Sequence, residues 1–202
     1  KFRPAEPDDS LRARHGLFGK FVCGYIGTIG LAHGLDIVLD AAEKTKDDER
    51  LVYLLVGEGA RRSHLEADAR RRGLANVVFT GEVPRDDVPK YLSVCDAVLV
   101  HLKKAELFES VIPSKVFEIM GSGRPVIMGV RGEAARIVSD AGAGICIEPE
   151  DVDGLITAIG RLRNDPKAAR AMGRAGRAFV EANYGRVKLA AKYLKLLSAV
   201  SL

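Results

Sequence analysis

Short apolar runs recur at intervals along the whole chain. They occupy 21–26, 51–56, 77–79, 97–100, 125–130 and 144–147. These runs are rich in β-branched residues and do not alternate between apolar and polar positions, a pattern typical of strands buried on both faces. The stretches between them space their apolar residues as one face of a helix does, at 34–45, 60–72, 85–94, 114–120, 132–140 and 150–163.

This alternation of strand and helix predicts an α/β fold. Repeated βαβ units with right-handed crossovers build a doubly wound, Rossmann-like parallel sheet, here of six strands. We expect the strand order 3-2-1-4-5-6, in which strands 1 and 4 flank the point where the order reverses and ligands bind. We interpret residues 1–16 as a leading arm and residues 17–202 as one domain. Its C-terminal tail is helical, with predicted helices at 166–172, 174–183 and 186–198.

Composition narrows the class of protein. The chain has 202 residues, of which 47% are hydrophobic and 29% charged, so it can bury a substantial core. The net charge of +4 permits an anionic ligand without indicating nucleic acid. Cys23, Cys95 and Cys146 are too scattered for a disulfide framework or a metal-binding pair, which favours a reducing, cytoplasmic compartment. No apolar run approaches the roughly 18 residues of a membrane span.

A glycine-rich loop follows the first predicted strand, in the sequence Gly27-Thr28-Ile29-Gly30-Leu-Ala-His33-Gly. Such a strand-to-helix loop lets backbone N–H groups approach phosphate oxygens, and the next helix start favours negative charge. The alternative is a turn that serves packing only. The spacing is not G-x-G-x-x-G, which disfavours a nicotinamide cofactor. We therefore predict phosphate contact from the loop and from His33.

A second candidate segment follows the fourth predicted strand. Pro113 discourages helix before it, and Ser114 is a candidate N-cap. Lys115 and Glu118 share one helix face. A cation in the first turn opposes the helix dipole, which an anionic ligand would explain. A carboxylate one turn later can accept hydrogen bonds from a ribose diol, although a plain ion pair is the competing interpretation.

Other strand ends carry weaker signals. The turn Gly57-Glu58-Gly59 follows the second strand and is interpreted as a simple turn. The segment 80–85, TGEVPR, could wrap a flat base with Val83 and Arg85 beside it, or could merely start a helix. Asp151 and Asp153 match a metal-binding D-x-D pattern, but acidic residues at a helix start are favoured in any case. The four histidines have no metal-ligand spacing, so we predict no metal site.

Four ordered motifs carry a family resemblance: YIGTIGLAHGLD at 25–36, LLVGEG at 54–59, VVFTGEVP at 77–84 and IPSKVFEIMGSGRPVI at 112–127. Together they resemble the C-terminal, donor-binding domain of the GT-B glycosyltransferases of family 4, also called group 1. The resemblance runs from about residue 18 to 198. The P-S-K-x-F-E motif resembles that of a bacterial subgroup whose members transfer N-acetylated sugars in surface-polysaccharide assembly.

The resemblance implies roles for single residues. Glu118 corresponds to the second Glu of the E-x7-E motif, which binds the ribose hydroxyls. The Gly27–Gly30 loop corresponds to the pyrophosphate-contacting loop, Val83 to the residue that holds the base through its backbone, and Lys115 to a phosphate-binding lysine. The helix at 186–198 corresponds to one that crosses back onto the N-terminal domain.

The chain also departs from the family pattern. Ser110 stands where the first Glu of the motif is expected, with Glu109 one residue away, so the donor-sugar contacts are assigned to Glu109, Ser110, Val111 and Ile112. Thr28 and His33 stand near the places of the family's Arg and Lys. We infer that Lys115 takes over part of that charge neutralisation.

As a whole, the resemblance implies the donor half of a retaining, metal-independent glycosyltransferase that binds a nucleotide sugar, UDP-sugar by family habit, and uses no cofactor. An N-terminal Rossmann-like domain of the same enzyme would bind the acceptor, a lipid-linked sugar, at the inner face of the membrane. The chain alone would be inactive. Three alternatives stay open: half of a UDP-sugar 2-epimerase, a non-enzymatic nucleotide-binding module, and, least favoured, a nucleic-acid binder.

Overall fold

Six parallel strands form one sheet in the computed structural model, which describes residues 1–185, 190, 193–194 and 197–198. The order β3-β2-β1-β4-β5-β6 confirms the predicted doubly wound topology. The strands are β1 Phe21–Ile26, β2 Leu51–Val56, β3 Val77–Gly81, β4 Ala97–His101, β5 Val126–Gly129 and β6 Gly144–Cys146.

Helices cover both faces of the sheet. They are α1 Asp9–His15, α2 Asp36–Lys44, α3 Arg62–Arg72, α4 Val88–Ser93, α5 Lys115–Gly121, α6 Glu133–Asp140, α7 Val152–Asn164 and α8 Pro166–Asn183. Short 3-10 helices at Leu31–His33 and Glu106–Ser110 lie in the loops after β1 and β4. None of the helices in the described residues is both long and apolar enough to span a membrane.

The sheet separates two hydrophobic cores, as continuous apolar strands require. Leu54, Val98 and Val126 pack on one face with residues of α5 and α6. The opposite face carries Tyr53, Leu99 and Ile127 together with residues of α2 and α7. The pattern of both-sided burial predicted from the sequence is therefore confirmed for β1, β2, β4 and β5. It is wrong for β3 and β6, the two edge strands, whose residues are mostly half-buried.

The C-terminal tail corrects one prediction. Pro166–Asn183 is a single helix, where the sequence predicted two helices separated at Gly173. A Cβ at position 173 would lie 2.0 Å from the carbonyl oxygen of Gly123, so this glycine permits close approach of two backbones within an unbroken helix. The predicted helix at 186–198 falls largely outside the described residues.

The leading arm packs on the domain. Asp8 caps α1 by accepting a hydrogen bond from the N–H of Leu11, whose side chain is buried in the core. The Arg124 guanidinium donates to the carbonyls of Ala5 and Ser93, which joins the arm to the end of α4. Residues 1–16 are thus held by the same core that supports the sheet.

The topology brings two loops to one edge of the sheet. β1 pairs directly with β4 through Cys23 with Ala97 and Gly24 with Val98. Their carboxyl ends are therefore neighbours at the point where the strand order reverses. The glycine-rich loop leaves β1 there, and the segment that leads into α5 leaves β4 beside it.

Candidate functional site

The backbone of the glycine-rich loop alternates between bound and free N–H groups. Gly27 donates to the carbonyl of Val56 at 2.9 Å, and Ile29 donates to that of Glu58 at 2.8 Å. Within residues 1–185, the N–H groups of Thr28 and Gly30 make no hydrogen bond to the protein. The Ile29 side chain is fully buried, whereas Thr28 is exposed. Two of the four predicted loop donors, at Thr28 and Gly30, are thus available to a ligand.

The loop after β2 supports this arrangement from behind. A Cβ at Gly57 would lie 2.0 Å from the carbonyl oxygen of Gly27, and one at Gly59 would lie 2.4 Å from that of Ile29. Both glycines have positive φ, 142° and 153°, which other residues rarely adopt. The segment interpreted from the sequence as a simple turn is therefore the backing of the Gly27–Gly30 loop.

Lys115 reaches into the loop from the first turn of α5. Its Nζ donates to the hydroxyl of Tyr25 at 2.9 Å and lies 4.1 Å from the centroid of that ring. A Cβ at Gly27 would lie only 2.7 Å from Nζ. Burial lowers the pKa of Lys115 to about 8, partly opposed by the negative charge of Glu118. Among residues 1–185, no carboxylate lies within 4.0 Å of this ammonium group.

His33 lies on the other side of the loop. Its Nδ1 is buried without a hydrogen-bond partner in the described part of the chain and would lie 3.4 Å from a Cβ at Gly30. Burial and the positive charge of Lys115 lower the pKa of His33 to about 4. The ring is therefore neutral at pH 7, so Lys115 supplies the cation of this loop.

His101 is a site neighbour that sequence reasoning missed. Its buried ring bridges two loops: Nδ1 lies 2.7 Å from the carbonyl of His33, and Nε2 accepts from the N–H of Glu150 at 2.9 Å. The neutral tautomer with hydrogen on Nδ1 satisfies both contacts, and burial lowers the pKa of His101. The signal that could have found it is a histidine at the end of an otherwise apolar strand.

Glu118 and Arg85 meet across the candidate cleft. Arg85 Nη2 lies 3.7 Å from Glu118 Oε1, and the arginine is largely exposed. A cavity of about 570 Å³ opens beside them, with Ser114 and Phe117 in its wall. Val83 is half-buried against the core at the entrance to α4. The three residues predicted to hold a nucleoside thus come from the segment between β3 and α4 and from the first turn of α5.

Ser114 occupies the predicted N-cap position of α5, but its side chain makes no capping hydrogen bond. Its backbone is already helical, with φ −56° and ψ −28°, so the hydroxyl does not turn back onto the N–H groups of the first turn. The capping role expected from the sequence is therefore wrong. The side chain is exposed and faces the cleft beside Glu118.

The residues assigned to the donor sugar lie apart from this cleft. Glu109 and Ser110 are exposed at the end of a 3-10 helix, and Glu109 Oε1 is 3.9 Å from Arg131. Glu109 lines a second cavity, of about 280 Å³, together with Lys103, Lys104, Glu106 and Arg131. Val111 is 38% exposed and Ile112 is half-buried.

The D-x-D pair has structural partners. Asp151 accepts from the N–H of Gly154 at 2.9 Å and so caps α7, as the sequence analysis interpreted it. Asp153 forms an ion pair with Lys44 at 2.7 Å. Within the described residues, no group of three His, Cys, Asp or Glu side chains is placed to hold a metal ion.

Comparison with known proteins identifies the family. The family model "Glycosyl transferases group 1" matches residues 8–179. The chain belongs to this family. The sheet is correspondingly one Rossmann-like half of the GT-B fold.

Two curated relatives are similar over most of the chain. It is 30% identical over 189 residues to "2-deoxystreptamine glucosyltransferase" of Streptomyces kanamyceticus, covering 90% of this chain and 46% of that protein. It is also 30% identical, over an alignment of 204 positions with gaps, to "GDP-mannose-dependent alpha-(1-6)-phosphatidylinositol monomannoside mannosyltransferase" of Mycolicibacterium smegmatis, covering 98% of this chain and 53% of that protein. The chain thus spans about half the length of these relatives.

A solved structure has the same fold. The crystal structure of Anabaena Alr3699/HepE in complex with UDP-glucose superposes with a TM-score of 0.84 at 22% identity, covering 98% of this chain and 54% of that one. At this level of identity the similarity establishes the fold, and the predicted roles of the site residues stay predictions.

Proposed function

We propose that this domain is the donor-binding part of a group 1 glycosyltransferase and binds the nucleoside diphosphate of a nucleotide sugar. UDP-sugars are the preferred candidates. The observation that carries the proposal is the Lys115 ammonium group, which lies over the glycine-rich loop without a carboxylate partner among residues 1–185. Beside it, the N–H groups of Thr28 and Gly30 are free of protein hydrogen bonds. A cation and two N–H donors at one place match the acceptors of a diphosphate.

The same groups would serve the transfer step. When the glycosidic bond of a nucleotide sugar breaks, negative charge builds on the departing diphosphate. Lys115 and the loop donors are fixed in advance and partly shielded from water, so they can stabilise that charge without reorganising. This is the task that a metal ion performs in other enzymes, and we propose that transfer here is metal-independent. Retention of the anomeric configuration is proposed from the family resemblance.

The nucleoside part would lie toward Glu118. Its carboxylate faces the 570 Å³ cavity and can accept hydrogen bonds from both ribose hydroxyls. Arg85, 3.7 Å away, is exposed and free to move when ribose arrives. The backbone of Val83 would hold the base. This arrangement recognises ribose over deoxyribose and leaves the choice of base to the segment 80–85.

The remaining parts of the reaction lie beyond the nucleotide. We propose that the donor sugar approaches Glu109, Ser110, Val111 and Ile112, next to the smaller cavity. An N-terminal Rossmann-like domain would supply the acceptor site and exclude water. A lipid-linked sugar as acceptor is supported by the phosphatidylinositol monomannoside in the name of one relative. A role in surface-polysaccharide assembly is proposed from the sequence resemblance alone. Contact with the inner face of the membrane would follow from such an acceptor.

Calorimetric titration of the 202-residue chain tests the proposal. The panel is UDP, GDP, ADP, uridine and the corresponding nucleotide sugars, each with EDTA and with Mn²⁺. We expect UDP to bind at micromolar to millimolar strength, clearly tighter than uridine, and with the same affinity in both buffers. Binding of uridine as tight as UDP, or an absolute requirement for Mn²⁺, would contradict the proposed diphosphate site.

The same chain should transfer no sugar by itself. Incubation with the nucleotide sugar that binds best and a pool of lipid-linked acceptors should release no nucleoside diphosphate above the background hydrolysis. Turnover by this chain alone would show that the acceptor site lies within these residues.

A further inference from the structure

A buried tyrosine joins the two halves of the candidate diphosphate site. Tyr25 lies near the end of β1 and is 1% exposed. Its hydroxyl donates to the carbonyl of Thr28 at 2.7 Å and accepts from Lys115 Nζ at 2.9 Å. A buried tyrosine hydroxyl needs a partner in any protein. Here both partners belong to the site, one from the loop and one from α5.

The direction of both hydrogen bonds is fixed, because a carbonyl group can only accept and an ammonium group can only donate. The Thr28 carbonyl can only accept, so the Tyr25 hydroxyl hydrogen points to it and an oxygen lone pair faces Lys115. The ring adds a second contact, because Nζ lies 4.1 Å from its centroid, within the range of a cation–π interaction. One side chain thus restrains the ammonium group through both its oxygen and its ring.

The space above Gly27 completes the arrangement. A Cβ at position 27 would lie 2.7 Å from Lys115 Nζ and 3.1 Å from Cε, so the end of the lysine occupies the place where other residues carry their side chain. Without an anchor, a lysine side chain samples many rotamers, and ordering it on ligand binding costs conformational entropy. The Tyr25 contacts hold it over the loop before any ligand arrives.

Tyr25 also leaves the lysine charge uncompensated. Burial raises the pKa of Tyr25 well above its ordinary value, so the hydroxyl stays neutral over the whole physiological range. A carboxylate at the same place would anchor the lysine equally well but would neutralise it. A neutral acceptor positions the cation and keeps its charge for an anion.

We propose that Tyr25 is a positioning residue that holds the Lys115 ammonium group over the Gly27–Gly30 loop and thereby sets the affinity of the site for a diphosphate. The inference rests on the proposed function, because it assumes that Lys115 contacts the diphosphate. It adds a residue that contacts no ligand itself: Tyr25 is anchored to the loop at the Thr28 carbonyl and acts on the diphosphate through Lys115.

The test compares the same substitution at two buried tyrosines. Tyr25→Phe removes the hydroxyl, and Tyr53→Phe is the control, since Tyr53 is equally buried and its hydroxyl lies 3.2 Å from Thr45 Oγ1, away from the loop. Calorimetry at pH 7 measures UDP and uridine with the wild type, both variants, Lys115→Met and the Tyr25→Phe/Lys115→Met double variant. Thermal unfolding verifies that each variant is folded.

We expect Tyr25→Phe to weaken UDP about threefold to tenfold, the effect of one hydrogen bond, and to leave uridine unchanged. Tyr53→Phe should change neither affinity. In the Lys115→Met background, Tyr25→Phe should have no further effect on UDP. Titration of the Lys115 side chain by NMR should move to lower pH in Tyr25→Phe, because the charged form loses an acceptor.

Three results would overturn the inference: an unchanged UDP affinity in Tyr25→Phe, equal weakening of uridine and UDP, or the same loss with and without Lys115. The first two would assign Tyr25 to the core alone, and the third would assign it to the Thr28 loop instead of to Lys115. A wild type that binds no nucleoside diphosphate more tightly than its nucleoside is a different outcome. It would remove the proposed function, and this inference with it, before any variant is considered.

Discussion

Two cationic side chains in this domain differ in whether carboxylates surround them. Arg72, in the last turn of α3, lies 2.6 Å from Asp40, 2.7 Å from Asp68 and 3.2 Å from Glu43. Hydrogen bonds that Arg72 donates to the carboxylates of Asp40 and Asp68 raise the pKa of Arg72 above its ordinary value. Lys115, in the first turn of α5, contacts a neutral hydroxyl, and burial lowers its pKa to about 8.

The contrast distinguishes charges that stabilise the fold from charges reserved for a ligand. A cation at a helix C-terminus that is surrounded by carboxylates is favoured by the helix dipole and by its partners. A half-buried cation at a helix N-terminus without a carboxylate costs free energy in the folded protein. Such a cost is explained when an anion arrives from outside the chain. The contrast therefore supports the proposal that Arg72 serves stability and Lys115 serves binding.

The largest effect that sharpens this contrast concerns Lys115→Met. We expect the affinity for UDP to fall about tenfold to a hundredfold, which is about 1.4–2.7 kcal/mol, because a charge-assisted hydrogen bond is lost. Uridine should bind as before. The measurement is calorimetry with both ligands at pH 7, and equal weakening of the two would place Lys115 outside the diphosphate site.

The pH dependence of UDP binding should be nearly as large. As pH rises from 7 to 9, the free protein loses the Lys115 proton through its pKa of about 8, so the affinity should fall by up to about tenfold. His33 is already neutral in this range, and Tyr25 stays protonated. Lys115→Met should show a flat profile. A wild-type profile as flat as that of the variant would contradict a charged Lys115 in the site.

The same lowered pKa affects stability with the opposite sign. An unfolded lysine titrates near 10.4, so between about pH 8 and 10.4 the unfolded chain binds more protons than the folded one at this position. Stability contributed by this group therefore rises with pH across that window. The free energy of unfolding is measured by denaturant for the wild type and Lys115→Met at pH 7 and pH 10. The stability of the wild type relative to the variant should be higher at pH 10 than at pH 7.

Arg72→Met should lower the stability of the domain and leave UDP binding unchanged, whereas Lys115→Met should weaken UDP binding. We expect a loss of about 1 kcal/mol in the free energy of unfolding, the upper end for partly exposed ion pairs, because one guanidinium serves three carboxylates. UDP affinity should be unchanged. Denaturant unfolding and calorimetry on the same protein samples test both statements, and weaker UDP binding here would break the proposed separation of the two cations.

The smallest expected effect concerns Glu118. UDP should bind more tightly than 2′-deoxy-UDP by about fivefold, the value of roughly 1 kcal/mol for one hydrogen bond, and Glu118→Ala should abolish most of this difference. Competition calorimetry with the two nucleotides measures it. Arg85→Ala is the matched control, because it removes the 3.7 Å neighbour of Glu118 without removing the acceptor. A ribose preference that survives Glu118→Ala would contradict the proposed ribose contact.

The fold could be predicted from the sequence because its signals are local. Apolar runs such as 21–26 and 51–56 are buried on both faces, and the strand order that was assumed for a doubly wound sheet matches the observed order. The break predicted within α8 was wrong, because Gly173 serves contact with Gly123. That contact joins positions 50 residues apart, and helical periodicity carries no information about it.

The candidate site could be predicted only in part. The loop at Gly27 and the helix start at Lys115 were found because glycines and a misplaced charge stand out in the sequence. Tyr25 lies inside an apolar strand, where a polar side chain suggests core packing, and His101 ends another, which is only a weak signal of a site. Their roles depend on partners 90 and 68 residues away, Lys115 and His33, so they emerge only from the three-dimensional arrangement.

The close fit between the loops after β1 and β2 has a consequence for engineering donor preference. Residues 27–30 lie so close to Gly57 and Gly59 that neither segment has room to change its course independently. A loop taken from another transferase and grafted at 27–30 alone would clash with residues 57–59 or pack poorly against them. The transplantable unit is the pair of segments 27–30 and 57–59, exchanged together, and libraries that vary one of them should keep the other from the same parent.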